Sequence, residues 1–306
     1  MMIKIICSAQ AYTYNAYHIV KAFYPAVEIT NHVEEKASNY VEINFSDGQV
    51  IAVEKEEVKA GTDAEKKAQI DKKLYEKLSE KSGKTLAWGI LTGVRPTKLA
   101  MKKLEEGMEP ETFVSWFRQT YLVSEEKARL AWEIAGREKK LLDRLDYEDG
   151  YSLYVGIPFC PTVCTYCSFS SGALEDWKDF VDAYVEALCK ELAFIGEVSK
   201  EKKLNSIYIG GGTPTSLNAR QLERILSCID THFSREYLLE YTVEAGRPDS
   251  ITEEKLQVIK AHKVTRISIN PQTMQQKTLD TIGRKHTVED ICKTYDCLLY
   301  TSDAAD

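Results

Sequence analysis

The sequence predicts an α/β chain: a parallel sheet of about four strand–helix units over residues 151–296, preceded by a smaller α+β domain over residues 1–145. Three observations predict it. From Tyr151 onward, short strand-like runs alternate with segments of helical period, the pattern of βαβ units. Several chemically notable residues then fall just after the strands, where parallel sheets carry their sites. The length of 306 residues also suits two domains of roughly 150 each.

In the front part, Ile3-Lys-Ile-Ile and Tyr40-Val-Glu-Ile-Asn-Phe45 alternate as strands, and Ser46-Asp-Gly-Gln49 turns into Val50-Ile-Ala-Val-Glu54. Residues 62–82, rich in Ala, Glu and Lys, read as an exposed helix. Glu111–Lys139 carries further helices with aromatic and Leu residues at helical spacing, and the charged segment Arg137–Gly150 reads as a linker.

In the back part, Ser152–Ile157 is a strand that runs into a cysteine-rich loop, and Asp176–Val198 is one long amphipathic helix. Ser206–Ile209 is a strand ending in Gly210-Gly211-Gly212, followed by a helix over Ala219–Phe233. Glu240–Glu244 is a strand, Thr252–His262 a helix and Arg266–Ile269 a strand. The cysteine loop, the triple glycine, Glu244 and Asn270-Pro-Gln272 thus share one predicted rim.

Composition narrows the class. Hydrophobic residues at 43% and charged residues at 28% are those of an ordinary globular chain. A net charge of -7 offers no basic excess for nucleic acid. The first residues do not read as a signal peptide, and no apolar run approaches the roughly 20 residues of a membrane span. The reading is a cytoplasmic protein with eight reduced cysteines. Cys7, Cys189 and Cys228 sit in apolar patterns and read as small buried hydrophobes.

Cys160, Cys164 and Cys167 differ from these. They form Cys-x3-Cys-x2-Cys within Gly156-Ile-Pro-Phe-Cys-Pro-Thr-Val-Cys-Thr-Tyr-Cys-Ser-Phe169. A structural zinc site closes with four ligands, and iron–sulfur cubanes commonly take four cysteines. Three thiolates suggest a metal centre with one position kept for something that reacts. A non-enzymatic zinc-binding module is the alternative, but His232, His262 and His286 form no local ligand pair. The triple glycine lets a backbone approach a ligand or simply makes a tight βα turn. Glu244 and Gln272 can take hydrogen bonds from ribose hydroxyls, and Arg284 can meet a carboxylate. Gly83-Lys84-Thr85 lacks the earlier glycine of a P-loop.

The cysteine spacing, with Tyr166 before the third cysteine, resembles the radical S-adenosylmethionine (SAM) superfamily. Tyr154-Val-Gly-Ile-Pro-Phe-Cys160, Tyr208-Ile-Gly-Gly-Gly-Thr-Pro-Thr215 and Arg266-Ile-Ser-Ile-Asn-Pro-Gln272 narrow the likeness to the oxygen-independent coproporphyrinogen III oxidase-like family. Trp88-Gly-Ile-Leu-Thr-Gly-Val-Arg-Pro-Thr-Lys-Leu99 resembles its coproporphyrinogen dehydrogenase branch, called HemZ. The resemblance implies a partial (βα)6 barrel and a [4Fe–4S] cluster on Cys160, Cys164 and Cys167. It implies SAM bound near Tyr154 and Tyr166, with Gly211, Gly212 and Thr213 at its methionyl end, Glu244 and Gln272 at its ribose, and Arg284 at a polar end. It further implies oxidative decarboxylation of coproporphyrinogen III propionates to vinyls in haem biosynthesis, with a reductant such as flavodoxin or ferredoxin.

The family's oxidases carry a fourth cysteine two positions after the third, and here that position is Phe169. The same Phe occurs in relatives that act as haem chaperones, which makes a haem-binding chaperone the second reading. Four strands are also fewer than a closed barrel needs. Residues 297–306, Cys-Leu-Leu-Tyr-Thr-Ser-Asp-Ala-Ala-Asp, match one frame of a sequencing-library adapter and are expected to be a non-native tail.

Overall fold

The computed structural model describes residues 2–93 and 95–301, and side chains through residue 298. The chain divides into two compact units, Met1–Arg144 and Leu145–Asp306. Of the expected tail 297–306, residues 302–306 lie outside the described residues, as does Val94 of the Trp88–Leu99 motif.

The first unit begins β1 (Met2–Cys7), α1 (Gln10–Phe23), β2 (Glu28–Val33), β3 (Asn39–Phe45), β4 (Val50–Glu54). These strands form one sheet in the order β2-β1-β3-β4. β1 runs parallel to β2, across the α1 connection, and antiparallel to β3. Gly48, at φ +82, closes the β3–β4 turn in the left-handed region that suits glycine. Ile3, Ile5, Val41, Ile43 and Val53 are fully buried on one sheet face, against Ile19 and Val20 of α1.

The next helix, α2 (Asp63–Ser82), starts at a capping box between Thr62 and Glu65 and stops at left-handed Gly83. It is not the exposed helix expected over residues 62–82. Ile70, Leu74, Tyr75 and Leu78 form a buried stripe at helical spacing against the same core. The lysines and glutamates around it hide this narrow face in the sequence. Helices α3 (Thr97–Glu105), α4 (Pro110–Tyr121) and α5 (Glu125–Leu142) pack around Phe113, Phe117, Ala128, Ala131 and Ala135. Helix α5, capped by the Ser124 hydroxyl, carries the charged segment from Arg137 on to Leu142, so the first part of the expected linker is helix.

The Leu86–Ile90 segment is pinned to α2 and α4. The Leu86 amide donates to the Tyr75 hydroxyl at 2.9 Å, and the Ile90 amide to the Tyr121 carbonyl at 2.9 Å. Gly89 lies between these anchors at φ +56, where a Cβ would stand 2.0 Å from the Tyr121 carbonyl oxygen.

The second unit starts with β5 (Gly150–Ile157), β6 (Phe159–Cys160), β7 (Gly172–Ala173) and the single turn α6 (Leu174–Trp177). It continues through α7 (Val181–Val198), β8 (Lys203–Gly211), α8 (Ala219–His232), β9 (Glu240–Glu244), α9 (Glu253–Ala261), β10 (Arg266–Ser268), α10 (Gln276–Thr281) and α11 (Val288–Thr301). The four longer strands form a parallel sheet in chain order, β5-β8-β9-β10. Consecutive order is that of a barrel wall and differs from a doubly wound sheet, whose order reverses at a switch point.

The expected single helix 176–198 is broken. A tight turn at Lys178–Phe180 separates α6 from α7 and lays the Trp177 indole where a Cβ on Gly172 would come within 2.4 Å of it. A capping box at Asn218 and a side-chain cap at Thr252 start α8 and α9 within one residue of their predicted ends.

Helices α7, α8 and α9 cover one face of the sheet. Leu153, Val155, Ile157, Ile207, Ile209, Tyr241 and Val243 from the strands meet Val185, Leu192, Leu222, Leu226, Ile229 and Ile259. Each fully buried aliphatic side chain contributes about 1.5–3 kcal/mol. Among the described residues no helix is long and apolar enough to cross a membrane.

Replacing Gly89 by Ala should cost ~2 kcal/mol or more, from left-handed strain plus collision with the Tyr121 carbonyl. Urea unfolding followed by far-ultraviolet circular dichroism measures it. A midpoint equal to that of the parent would remove the basis for this assignment.

Candidate functional site

The site begins with the ladder between β5 and β8. Tyr154, Val155, Gly156 and Ile157 pair with Tyr208, Ile209, Gly210 and Gly211. The pairing continues past the strand ends: the Gly212 amide donates to the Ile157 carbonyl at 2.7 Å and the Thr213 amide to the Phe159 carbonyl at 2.8 Å. A Cβ at Gly212 would lie 2.7 Å from the Phe159 oxygen, and one at Gly211, φ +110, would lie 3.0 Å from the Ile157 oxygen. Gly211 and Gly212 are therefore needed for two backbones to cross closely.

That crossing delivers the cysteine loop. β6 and β7 pair in parallel, Phe159 with Gly172 and Cys160 with Ala173, and close the base of residues 161–171. Inside the loop the Cys167 amide donates to the Cys164 carbonyl at 3.1 Å. The loop is also fastened from outside. The Thr165 amide donates to the Ile282 carbonyl at 3.1 Å, and the Thr162 hydroxyl to the Gly283 carbonyl at 3.2 Å.

A cavity of about 140 Å³ opens against this loop. Cys160, Cys164, Cys167, Tyr166, Gly211, Gly212, Thr213, Glu244, Gln272 and Arg284 all line it, so every predicted site residue but one meets there. The exception, Tyr154, lines an adjoining cavity of about 620 Å³ that shares Phe169, Gly211 and Glu244 with the first. Phe169, 70% exposed, thus stands where the two cavities meet.

The side chains already have partners. The buried Thr213 hydroxyl lies 3.5 Å from the Cys160 Sγ. Glu244 accepts a short hydrogen bond from the Tyr208 hydroxyl, and the Tyr208 ring stacks on Tyr154 at 5.9 Å. Burial, reinforced by Glu244, pushes the Tyr208 phenol up to about 12. The Tyr154 phenol is raised for the same two reasons. Tyr166 is raised by burial, with Arg284 pulling the other way and Cys164 adding to the rise. Gln272 has φ +66, the left-handed region. The buried Arg284 donates from Nη1 to the Gly246 carbonyl at 3.2 Å and the Asn270 carbonyl at 2.8 Å, while its Nε has no partner.

Three functional candidates escaped the sequence reading. Arg247, only 2% exposed, donates through Nε and Nη2 to both Asp249 oxygens at 2.9 and 2.6 Å. Its Nη1 donates to the Thr162 carbonyl at 3.1 Å and hydroxyl at 3.0 Å and lies 4.0 Å from the Cys164 Sγ. His286 is 1% exposed, and its Nδ1 is 3.8 Å from Asp249 Oδ1. Tyr208 is the third. The segment Arg247-Pro-Asp249 follows a strand as Glu244 does, and that position was its available signal.

The thiols line a cavity wall. Among the described residues no three His, Cys, Asp or Glu side chains stand as a cage for one metal ion. A cubane needs a different arrangement, because each thiolate binds its own iron. Two buried donors also face sulfur, the Thr213 hydroxyl at Cys160 and the Arg247 guanidinium at Cys164, and donors of this kind stabilise thiolate charge. The unpartnered Nε of Arg284, in the wall with Glu244 and Gln272, suits a polar ligand beside the thiols. The residues fit a thiolate-held cluster with a polar co-ligand.

Burial lowers the His286 pKa, with Arg284 and Arg247 adding to this; the Asp249 carboxylate and the Pro271 backbone oppose it. An unfolded imidazole titrates near ~6.5 and so takes its proton first as pH falls. The stability held by neutral His286 is therefore present above about pH 6.5 and lost below it. Unfolding free energy from urea titrations should fall between about pH 7 and 5.5, with a shallower fall in His286→Met. Equal slopes in the two proteins would sink the assignment.

The radical SAM superfamily profile matches residues 154–299. The oxygen-independent coproporphyrinogen-III oxidase-like protein HemZ of Bacillus subtilis is 44% identical over 222 residues, covering 71% of this chain and 44% of that protein. The heme chaperone HemW of Lactococcus lactis is 41% identical over 136 residues, 44% of this chain and 34% of its own. The solved structure of Escherichia coli coproporphyrinogen III oxidase (HemN) overlays with a TM-score of 0.46 at 23% identity, over 55% of this chain and 38% of that one. The chain spans less than half the length of the curated relatives it matches. Residues 154–299 thus match the radical SAM superfamily, and the curated relatives that the chain resembles are HemZ and HemW proteins.

Proposed function

We propose that Cys160, Cys164 and Cys167 hold a [4Fe–4S] cluster and that SAM binds beside it. The protein would act in oxygen-independent oxidative decarboxylation of coproporphyrinogen III. The observation that carries the cofactor reading is the single cavity lined by all three thiols together with Gly211, Gly212, Thr213, Glu244, Gln272 and Arg284. When bound, the cluster and SAM supply a radical that abstracts hydrogen. The chain's own residues do the holding. Thr213 and Arg247 steady two of the sulfurs, Gly211 and Gly212 keep one wall free of side chains, and Arg284 offers an N–H for a carboxylate. Glu244 and Gln272 supply acceptors for hydroxyl groups. Tyr154, Tyr208 and Phe169 give the adjoining cavity aromatic walls suited to a flat, apolar substrate core.

The match to HemZ over 222 residues supports the porphyrinogen reaction. A second reading, a haem chaperone without decarboxylase activity, is favoured by Phe169 in place of a fourth cysteine and by the likeness to HemW.

Anaerobic reconstitution should load about four irons and four sulfides per chain, and serine at any of the three cysteines should abolish it. One zinc and no iron would overturn the cluster. Coproporphyrinogen III with SAM and a flavodoxin or ferredoxin reductant should then show two successive CO2 losses by mass spectrometry. Stoichiometric haem binding with no vinyl product would establish the chaperone instead.

A further inference from the structure

We infer that Arg247, clamped by Asp249, is a positioning residue that raises the reduction potential of the cluster through Cys164. The inference rests on the cluster assignment above. Its basis is the unusual placement of a full positive charge. Arg247 is 2% exposed, and a buried guanidinium survives only if its N–H groups are paired. Nε and Nη2 form a two-pronged bond to Asp249, and Nη1 is left facing the cysteine loop, on Thr162 and Cys164.

Asp249 fixes direction. A carboxylate held on two of the three nitrogens permits one orientation of a planar fork, so Nη1 must point at the loop. The donor thus does two things. It ties the loop that follows β9 to the loop that follows β5, and it places positive charge beside one ligand sulfur. Adding an electron to a thiolate-held cluster adds negative charge, which a nearby cation and an N–H donor to sulfur stabilise. Arg247 therefore favours the reduced state, and Asp249 partly offsets it.

The two residues should move the potential in opposite directions. Arg247→Gln should lower the midpoint by about tenfold in the reduction equilibrium, about 59 mV for one electron. Arg247→Lys should recover part of this, and Asp249→Asn, which loses the negative charge but keeps one side-chain oxygen to accept from the fork and hold its direction, should shift the midpoint upward. Dithionite titration of the reconstituted protein, read by electron paramagnetic resonance and with iron content matched, measures each shift. Damage to packing would move both variants the same way and spoil loading. An intact cluster whose potential is unchanged in Arg247→Gln, or a downward shift in Asp249→Asn, overturns the inference. If Arg247→Gln does not fold, the sign in Asp249→Asn decides alone. Wild-type protein without a cluster would instead overturn the cluster assignment, and this inference with it.

Discussion

The second unit depends on two backbones passing at hydrogen-bond distance beyond the ends of β5 and β8. Parallel ladders normally end when the strands diverge into their loops. Here pairing continues through Gly212 to Ile157 and Thr213 to Phe159 because no side chain separates the chains. The cysteine loop therefore starts from a fixed point. Thr213 arrives next to Cys160 as part of the same geometry. The later loops then fasten to this pair: Thr215 to Ser250, Arg247 to Thr162, and the segment after α10 to Thr162 and Thr165. The rim is a closed circuit of hydrogen bonds among loops that are distant in sequence.

The two faces of the parallel sheet differ. Buried parallel strands commonly read as continuous apolar runs. These strands alternate, with Leu153, Val155, Ile207, Ile209, Tyr241 and Val243 on the helix side and Ser152, Tyr154, Ser206, Tyr208, Thr242 and Glu244 on the other. The polar side has its own cross-strand contacts, Ser206 to Ser152 at 2.8 Å and Tyr208 to Glu244. Side chains on that face are carried by strands, and rigidity comes with that placement.

Much of this was legible in the sequence because the signals were local. Period-two runs marked the strands, glycines marked the crossing, and three cysteines in one short segment marked the loop. The misreadings share a cause. Helix α2 was taken as exposed because its buried stripe, Ile70, Leu74 and Leu78, is thin among lysines and glutamates. The break before α7 depends on the Trp177 indole lying over Gly172, a contact that periodicity cannot report. Arg247 and His286 were missed for the same reason. In sequence each is a polar residue outside a strand, and only the packing of several loops makes it buried. Residue type reveals chemistry; burial of a charge has to be seen.

Gln272 shows what this arrangement demands of the fold. A left-handed conformation costs a residue with a side chain about 1–2 kcal/mol, a strain that glycine would not feel. The chain nevertheless carries a carboxamide there, on the wall of the thiol-lined cavity. Under the proposed function, the optimum for thermal stability and the optimum for ligand contact separate at this point, and the sequence lies on the side of contact. A version of this domain selected only for heat tolerance would be expected to lose the glutamine early.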